Sequence, residues 1–364
     1  MKILIADSYC EVNKDKTLSG HYIHYFRDMY RVLKTDHDIT IGCSKEYKKS
    51  LTSEFPEMKF LLLKSNPSWD QKKRIIPRIK QYLNISKIIK KNYNVIILQS
   101  SDILYVSISI IINNKYINDK KIYLTIYNDF TNNLGFKNKI RMYIFNKAKK
   151  YLSGVITGSD LILKKYDIKG IVTTDYISRK IKGIFDSDNP LKYDILMLGI
   201  IFSFKNVEKV IELVMGTDLK VLIAGRFDSE ERYNRVNYNT KNSSNITIIN
   251  KYLSEIEYNE YINESRFVIL PYDTTIVQSS GVYYEALINL KPVIVSNAPF
   301  FKDVEKIGIG YNYNNLPKDP TPILRDEEKY KNMQKRIYDY IVKIQEESEK
   351  KLLDYFRSEW REPK

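Results

Sequence analysis

The chain has 364 residues and 43% hydrophobic content, too long for one ordinary domain and apolar enough for two full cores. Two cysteines, Cys10 and Cys43, exclude a disulfide framework and fit a reducing interior, and with three histidines they offer no zinc spacing. The net charge of +15 lies in one half: residues 1–170 hold 31 Lys/Arg against 15 Asp/Glu, a net of +16, while residues 171–364 hold 28 against 29, a net of −1.

In chain order, short β-rich apolar runs alternate with longer segments of helical period, the pattern of βαβ units that build parallel sheets. The opening "MKILIAD" passes at once into polar residues and reads as a strand rather than a secretory leader. Strands are expected at 2–7, 38–43, 58–64, 94–99, 121–127 and 154–158, with helices at 20–34, 77–91, 102–113, 137–151 and 160–166. The longest apolar stretch, "ILYVSISIII" from Ile103, is about half of what spans a bilayer, which implies a soluble chain. A polar linker is expected at 176–192, after which the pattern restarts. Its strands fall at 194–199, 220–225, 245–250, 267–270 and 292–296, and its helices at 206–214, 254–264, 280–290 and 325–357. The expected fold class is α/β, two Rossmann-like doubly wound domains facing across a cleft, with a long C-terminal helix. The domain limits are 1–172, 173–340 and 341–364, the last a C-terminal helix returning to the first domain. Ligands of such sheets bind at the carboxyl ends of the strands.

Two segments of the second half carry chemistry. In "VQSSGVYYEALINLKPVIVSN", Ser279 and Ser280 are good N-caps and Gly281 permits close backbone approach. The amides of Gly281, Val282 and Tyr283 then stand free at a helix start, an anion site, and Glu285 lies one turn on, placed to accept hydrogen bonds from a diol such as a ribose. The plain alternative is an ordinary capped helix with an acid near its positive end. In "DILMLGIIFSFKNVEKVIEL", a strand ends at Gly199 and Asn206 is suited to cap a helix whose apolar face is Val207, Val210, Ile211 and Val214. Lys205, just before it, is a point charge for a diphosphate, or else a solvated loop lysine.

Together these segments resemble the GT-B glycosyltransferases of the retaining GT4 family, clearly over most of residues 193–300 and only by architecture in the first half. The family's strand-Gly-Arg-Leu-x-x-x-Lys-Gly-helix motif is matched at Gly199, Lys205 and Asn206, with Asn for its final Gly, and its Glu-x7-Glu motif at Glu285, Ala286 and Lys291–Val295. Two positions depart: Ile200 replaces the family Arg, with Arg226 in "LIAGRF" as a candidate substitute, and Val277 replaces the first Glu, leaving Gln278, Ser279 and backbone amides to contact the sugar. In the first half the resemblance points to Gly20 and His24 at the start of the first helix, and to Asn128 and Asp129 where the family has a sugar-contacting His-Asp.

What the resemblance implies is a glycosyltransferase moving a hexose from a UDP- or GDP-sugar to a hydroxyl acceptor, such as a lipid-linked or glycoprotein glycan, with retention. The expected catalytic residues are Lys205, Glu285 and Asp129. The expected substrate-binding residues are Gly20, His24, Asn128, Gly199, Arg226 and the run Gln278, Ser279, Ser280, Gly281, Val282. No cofactor or metal is expected. Alternatives are a degenerate nucleotide-sugar-binding protein of the same fold, supported by Ile200 and Val277, and a basic nucleic-acid-binding protein, for which no recognition motif is found. Phosphate-loop, dinucleotide and nucleophile-elbow motifs are absent. The run Lys72–Lys91 carries eight Lys/Arg, no acid occurs between Asp70 and Asp102, and Ile79, Leu83 and Ile89 give it an apolar side. That suggests either a helix on the sheet with a solvated basic face or a peripheral contact with an anionic surface at the cytoplasmic membrane.

Overall fold

Strand-forming runs rich in Ile, Leu and Val assemble two parallel sheets in the computed structural model, which describes residues 1–12, 18, 22–67, 75–99, 102–127, 129, 136–183 and 190–358. The chain divides into two units, one of residues 1–178 joined by the terminal helix from Glu346, the other of residues 179–345.

Unit 1 begins with β1 (Lys2–Asp7), β2 (Glu11–Val12), α1 (Tyr22–Leu33), β3 (Asp38–Cys43), α2 (Lys45–Thr52), β4 (Lys59–Leu62) and β5 (Asn66–Pro67). It continues through α3 (Ile75–Ile89), β6 (Val95–Gln99), α4 (Ile103–Ile112), β7 (Lys121–Ile126) and α5 (Phe136–Lys149). It closes with β8 (Gly154–Thr157), α6 (Asp160–Tyr166) and β9 (Gly170–Val172). Seven strands form one sheet in the order β4-β3-β1-β6-β7-β8-β9, and β2 pairs with β5 beside it. Within α1, Phe26, Met29 and Leu33 are fully buried in a core that also takes Ile5, Ile97 and Tyr123 from alternate strand positions.

Unit 2 runs β10 (Tyr193–Leu198), α7 (Val207–Val214), β11 (Val221–Ala224), α8 (Glu230–Thr240), β12 (Ile246–Ile249) and α9 (Glu255–Asn263). There follow β13 (Ser265–Leu270), α10 (Gly281–Ile288), β14 (Val293–Val295), α11 (Val304–Ile307), β15 (Gly310–Asn312) and α12 (Thr321–Leu324). Its sheet order, β12-β11-β10-β13-β14-β15, reverses direction at β10, so β10 and β13 flank a switch point where such sheets take ligands. The last helix, α13 (Glu327–Ser358), begins in unit 2, and its final turns belong to unit 1. There Leu352 and Phe356 are fully buried, Phe356 lies 5.3 Å from Tyr123 ring to ring, and Arg357 clamps Asp36 through Nε and Nη2 at 2.9 and 2.6 Å.

Several elements escape the hydrophobic pattern. The α8 sequence "EERYNRVNYNT" buries only Val236 and Thr240, so it has almost no apolar period to detect. Strands β9 and β15 are three residues each. The run at Lys72–Lys91 corrects its expected amphipathicity. Ile89 is buried in the interior, whereas Ile79 and Leu83 point outward, so the three do not share a side.

Candidate nucleotide-sugar site

The site is built around the end of β10. Gly199 sits at φ +88°, and Gly225, at the end of β11, sits at φ +138°, where a side chain would strike the Gly199 carbonyl. Gly199 lies in the left-handed region that favours glycine, and Gly225 approaches the Gly199 backbone too closely for any side chain. A side chain at Gly199 would itself lie 3.5 Å from the Lys205 ammonium and from the Val282 side chain. Segments far apart in sequence therefore converge on one point.

Lys205 is 6% exposed, contrary to the solvated loop lysine. Its Nζ donates to the Leu198 carbonyl at 3.3 Å and stands 5.7 Å from the Tyr272 ring centre. Burial, with no carboxylate beside it to offset the cost, pushes its pKa down to about 8. Phe202 and Phe204 stack at 5.5 Å just before it, and Phe204 meets Tyr272 edge-on. The Asp273 amide donates to the Phe204 carbonyl at 2.7 Å, tying the loops after β10 and β13 together. Asn206 does not cap α7. It takes a left-handed conformation, φ 38°, and its side chain makes no capping bond. The expected apolar face of α7 is otherwise as buried as its spacing requires.

Helix α10 starts at Gly281 with Ser280 as N-cap. The Ser280 hydroxyl accepts the Tyr283 amide at 3.3 Å and lies 2.9 Å from the Tyr272 hydroxyl, so of the three amides expected to stand free Tyr283 is already engaged. The Gly281 and Val282 amides have no acceptor among the described residues. Ser279 is buried and Gln278 half-buried in the turn before them. Glu285 is 7% exposed and forms an ion pair with Arg179, Nη1 to Oε1 3.5 Å. The Tyr258 hydroxyl lies beside it, and burial followed by the Glu285 charge holds that phenol well above its usual range. Neither Arg179 nor Tyr258 was marked by the sequence pattern, since each comes from a segment with no motif. On the other flank, Arg226 lays its guanidinium 4.4 Å over the Tyr252 ring.

The first-half candidates divide. Gly20 and Asn128 lie outside the described residues. His24 stands on α1 with its ring 6.1 Å from Tyr176, edge to face. Asp129, expected to touch the sugar, is buried, with Lys165 on one carboxylate oxygen and the Tyr166 hydroxyl on the other at 2.5 Å. Those two partners from α6 make it an anchor within unit 1, a structural use that strand-end position alone does not reveal. A feature without a motif lies in the same unit: Asp7, Gln99 and Thr125 pair in register across β1, β6 and β7, all essentially inaccessible. Burial raises the Asp7 carboxyl to about 7, while the Tyr9 and Cys10 amides that it accepts hold it back. Among the described residues no group of His, Cys, Asp or Glu is placed to hold a metal ion.

No protein-family model matches the chain, and no curated protein sequence matches it. Among solved structures it is similar to a glycosyltransferase from Rickettsia africae ESF-5, at 18% identity over all of both chains with a TM-score of 0.65. It is similar to sucrose-phosphate synthase from Thermosynechococcus elongatus, at 12% identity over 98% of each chain with a TM-score of 0.68. A third likeness is to Anabaena HepE in complex with UDP-glucose, at 11% identity over 97% of this chain and all of that one, with a TM-score of 0.64. At such identities the likeness shows the fold, and the fold is GT-B.

Proposed function

We propose that the protein is a glycosyltransferase of the GT4 kind that moves a hexose from a UDP- or GDP-sugar to a hydroxyl acceptor with retention. The observation that carries the reading is the buried Lys205 ammonium, converging with Gly199 and the start of α10 beside the sheet's switch point. The HepE structure with UDP-glucose supports a uridine donor for this fold. The acceptor proposed is a glycan, lipid-linked or on a glycoprotein.

In this reading the Gly281 and Val282 amides and the positive end of α10 bind the donor phosphates. Lys205 meets the charge that grows on the departing diphosphate, the main electrostatic task of the site. Arg226 adds a second cation from the end of β11, in place of the arginine absent at Ile200. Glu285, held by Arg179, receives the ribose hydroxyls. With retention, the leaving diphosphate helps to deprotonate the acceptor on the same face of the sugar, so no protein nucleophile is required. No metal is required either, and EDTA should leave turnover unchanged.

The reading is tested by calorimetry with UDP, GDP and their glucose derivatives. One nucleotide series is expected to bind, and Glu285→Ala to weaken it by roughly 1–3 kcal/mol through loss of a charged hydrogen bond. Absence of binding by every nucleotide would overturn the reading. Unchanged affinity in Glu285→Ala would leave Glu285 as the holder of Arg179 alone. A second reading, a binding protein of this fold without turnover, is favoured by Ile200 and Val277 at the two departed positions. Binding without donor hydrolysis would select it.

A further inference from the structure

Three helices of unit 1 form an outer layer with an unusual surface. Helix α3 leads into β6, α4 joins β6 to β7 and α5 joins β7 to β8, stepping one way across the sheet. Right-handed crossovers place all three on one face, and α4 touches both neighbours. On α3, Ile76 (65% exposed), Ile79 and Leu83 project outward in a stripe of helical spacing. On α5, Phe136 (77% exposed), Ile140 and Tyr143 do the same. Between them, α4 has no charged residue at all, and its partly exposed positions include Leu104, Ile108 and Ile111, with Ile112 open to solvent. A helix apolar all round belongs in an interior or against an apolar phase. The exposed apolar residues of α3 and α5 fall within the first nine residues of helices that run the same way, so both stripes start at one end of the layer.

Every charged residue of these three helices is basic. No Asp or Glu occurs between Asp70 and Asp102, or between Asp129 and Asp160. Lys80, Lys87 and Lys90 border the α3 stripe, and Lys139 and Lys147 the α5 stripe, with the Lys147 ammonium 4.5 Å over the Tyr143 ring. Exposed apolar side chains gathered on one layer of helices mark an interaction surface.

We propose that the α3–α4–α5 face docks on an anionic lipid bilayer, its aromatic and aliphatic side chains entering the interface while the lysines meet the headgroups. Charge selects this occupant over a second copy of the chain, which would set two acid-free basic layers against each other. The inference stands apart from the donor site, since every residue it uses lies outside that site.

The experiment is co-sedimentation of the full chain with vesicles of phosphatidylcholine alone or mixed equally with phosphatidylglycerol, at low and moderate salt. Binding is expected only with phosphatidylglycerol present, and it should fall as salt rises. Lys87→Gln, Lys90→Gln and Lys147→Gln together should weaken it by on the order of a hundredfold, about fivefold per lysine. Ile79→Ser with Phe136→Ser should weaken it by about tenfold even at low salt, because apolar insertion does not depend on screening. Circular dichroism and donor calorimetry should be unchanged in both variants, which separates a failure here from a failure of the donor site. Absence of wild-type binding at low salt, or equal binding by the variants, would overturn the proposal. So would a dimer dispersed by Ile79→Ser in a protein that ignores vesicles.

Discussion

An ammonium whose one hydrogen-bond partner is a backbone carbonyl is an expensive thing to bury, and Lys205 is in that position. Its folded pKa of about 8 lies below the ordinary lysine value of 10.5, so the unfolded chain binds more protons between those limits. The penalty on stability is therefore full below about pH 8 and disappears as pH rises toward 10.5. We predict that Lys205→Met is at least as stable as the wild type at pH 7 and that any advantage narrows as pH rises to 10. Thermal unfolding at the two pH values checks the sign. A variant less stable at pH 7 would mean that Lys205 holds the β10 loop together rather than waiting for an anion.

At the scale of elements, the N-cap of α10 ties together the loops at one end of the unit 2 sheet. Ser280 supports the helix start and Tyr272 at once, and Tyr272 in turn lies under Lys205. Ser280→Ala should cost about 1 kcal/mol of stability in urea denaturation, as loss of a cap does. It should also weaken nucleotide binding, because the free amides of Gly281 and Val282 lose their fixed direction. Full stability and affinity in that variant would show the cap to be incidental. The elements most legible in the sequence were those with a strong apolar period. Examples are β10, whose last four residues are buried, and α7, whose Val207, Val210, Ile211 and Val214 all face the core. Periodicity failed where a helix is polar throughout, as in α8, and where apolar residues face outward, as at Ile79 and Leu83. A pattern shows that residues share a side but not which side meets the core. In the site, Gly199 and Lys205 were visible from their motif. Arg179 and Tyr258 were not, because they reach Glu285 through tertiary contacts that no local spacing encodes.

At the scale of the whole molecule, the fold is GT-B and the charge divides unevenly along the chain. Residues 171–364 are near neutrality, with Lys205 and Arg226 beyond the ends of β10 and β11, while the excess of Lys/Arg lies in residues 1–170. The central claim is that the site beside β10 binds a nucleotide-diphosphate sugar and that Lys205 serves the departing diphosphate. Release of nucleoside diphosphate from UDP- and GDP-sugars without acceptor, by wild type and Lys205→Met, tests it most directly. The account predicts slow release by the wild type, slowed further by roughly a hundredfold in Lys205→Met, with a much smaller change in donor affinity. Equal release by the two proteins would contradict it.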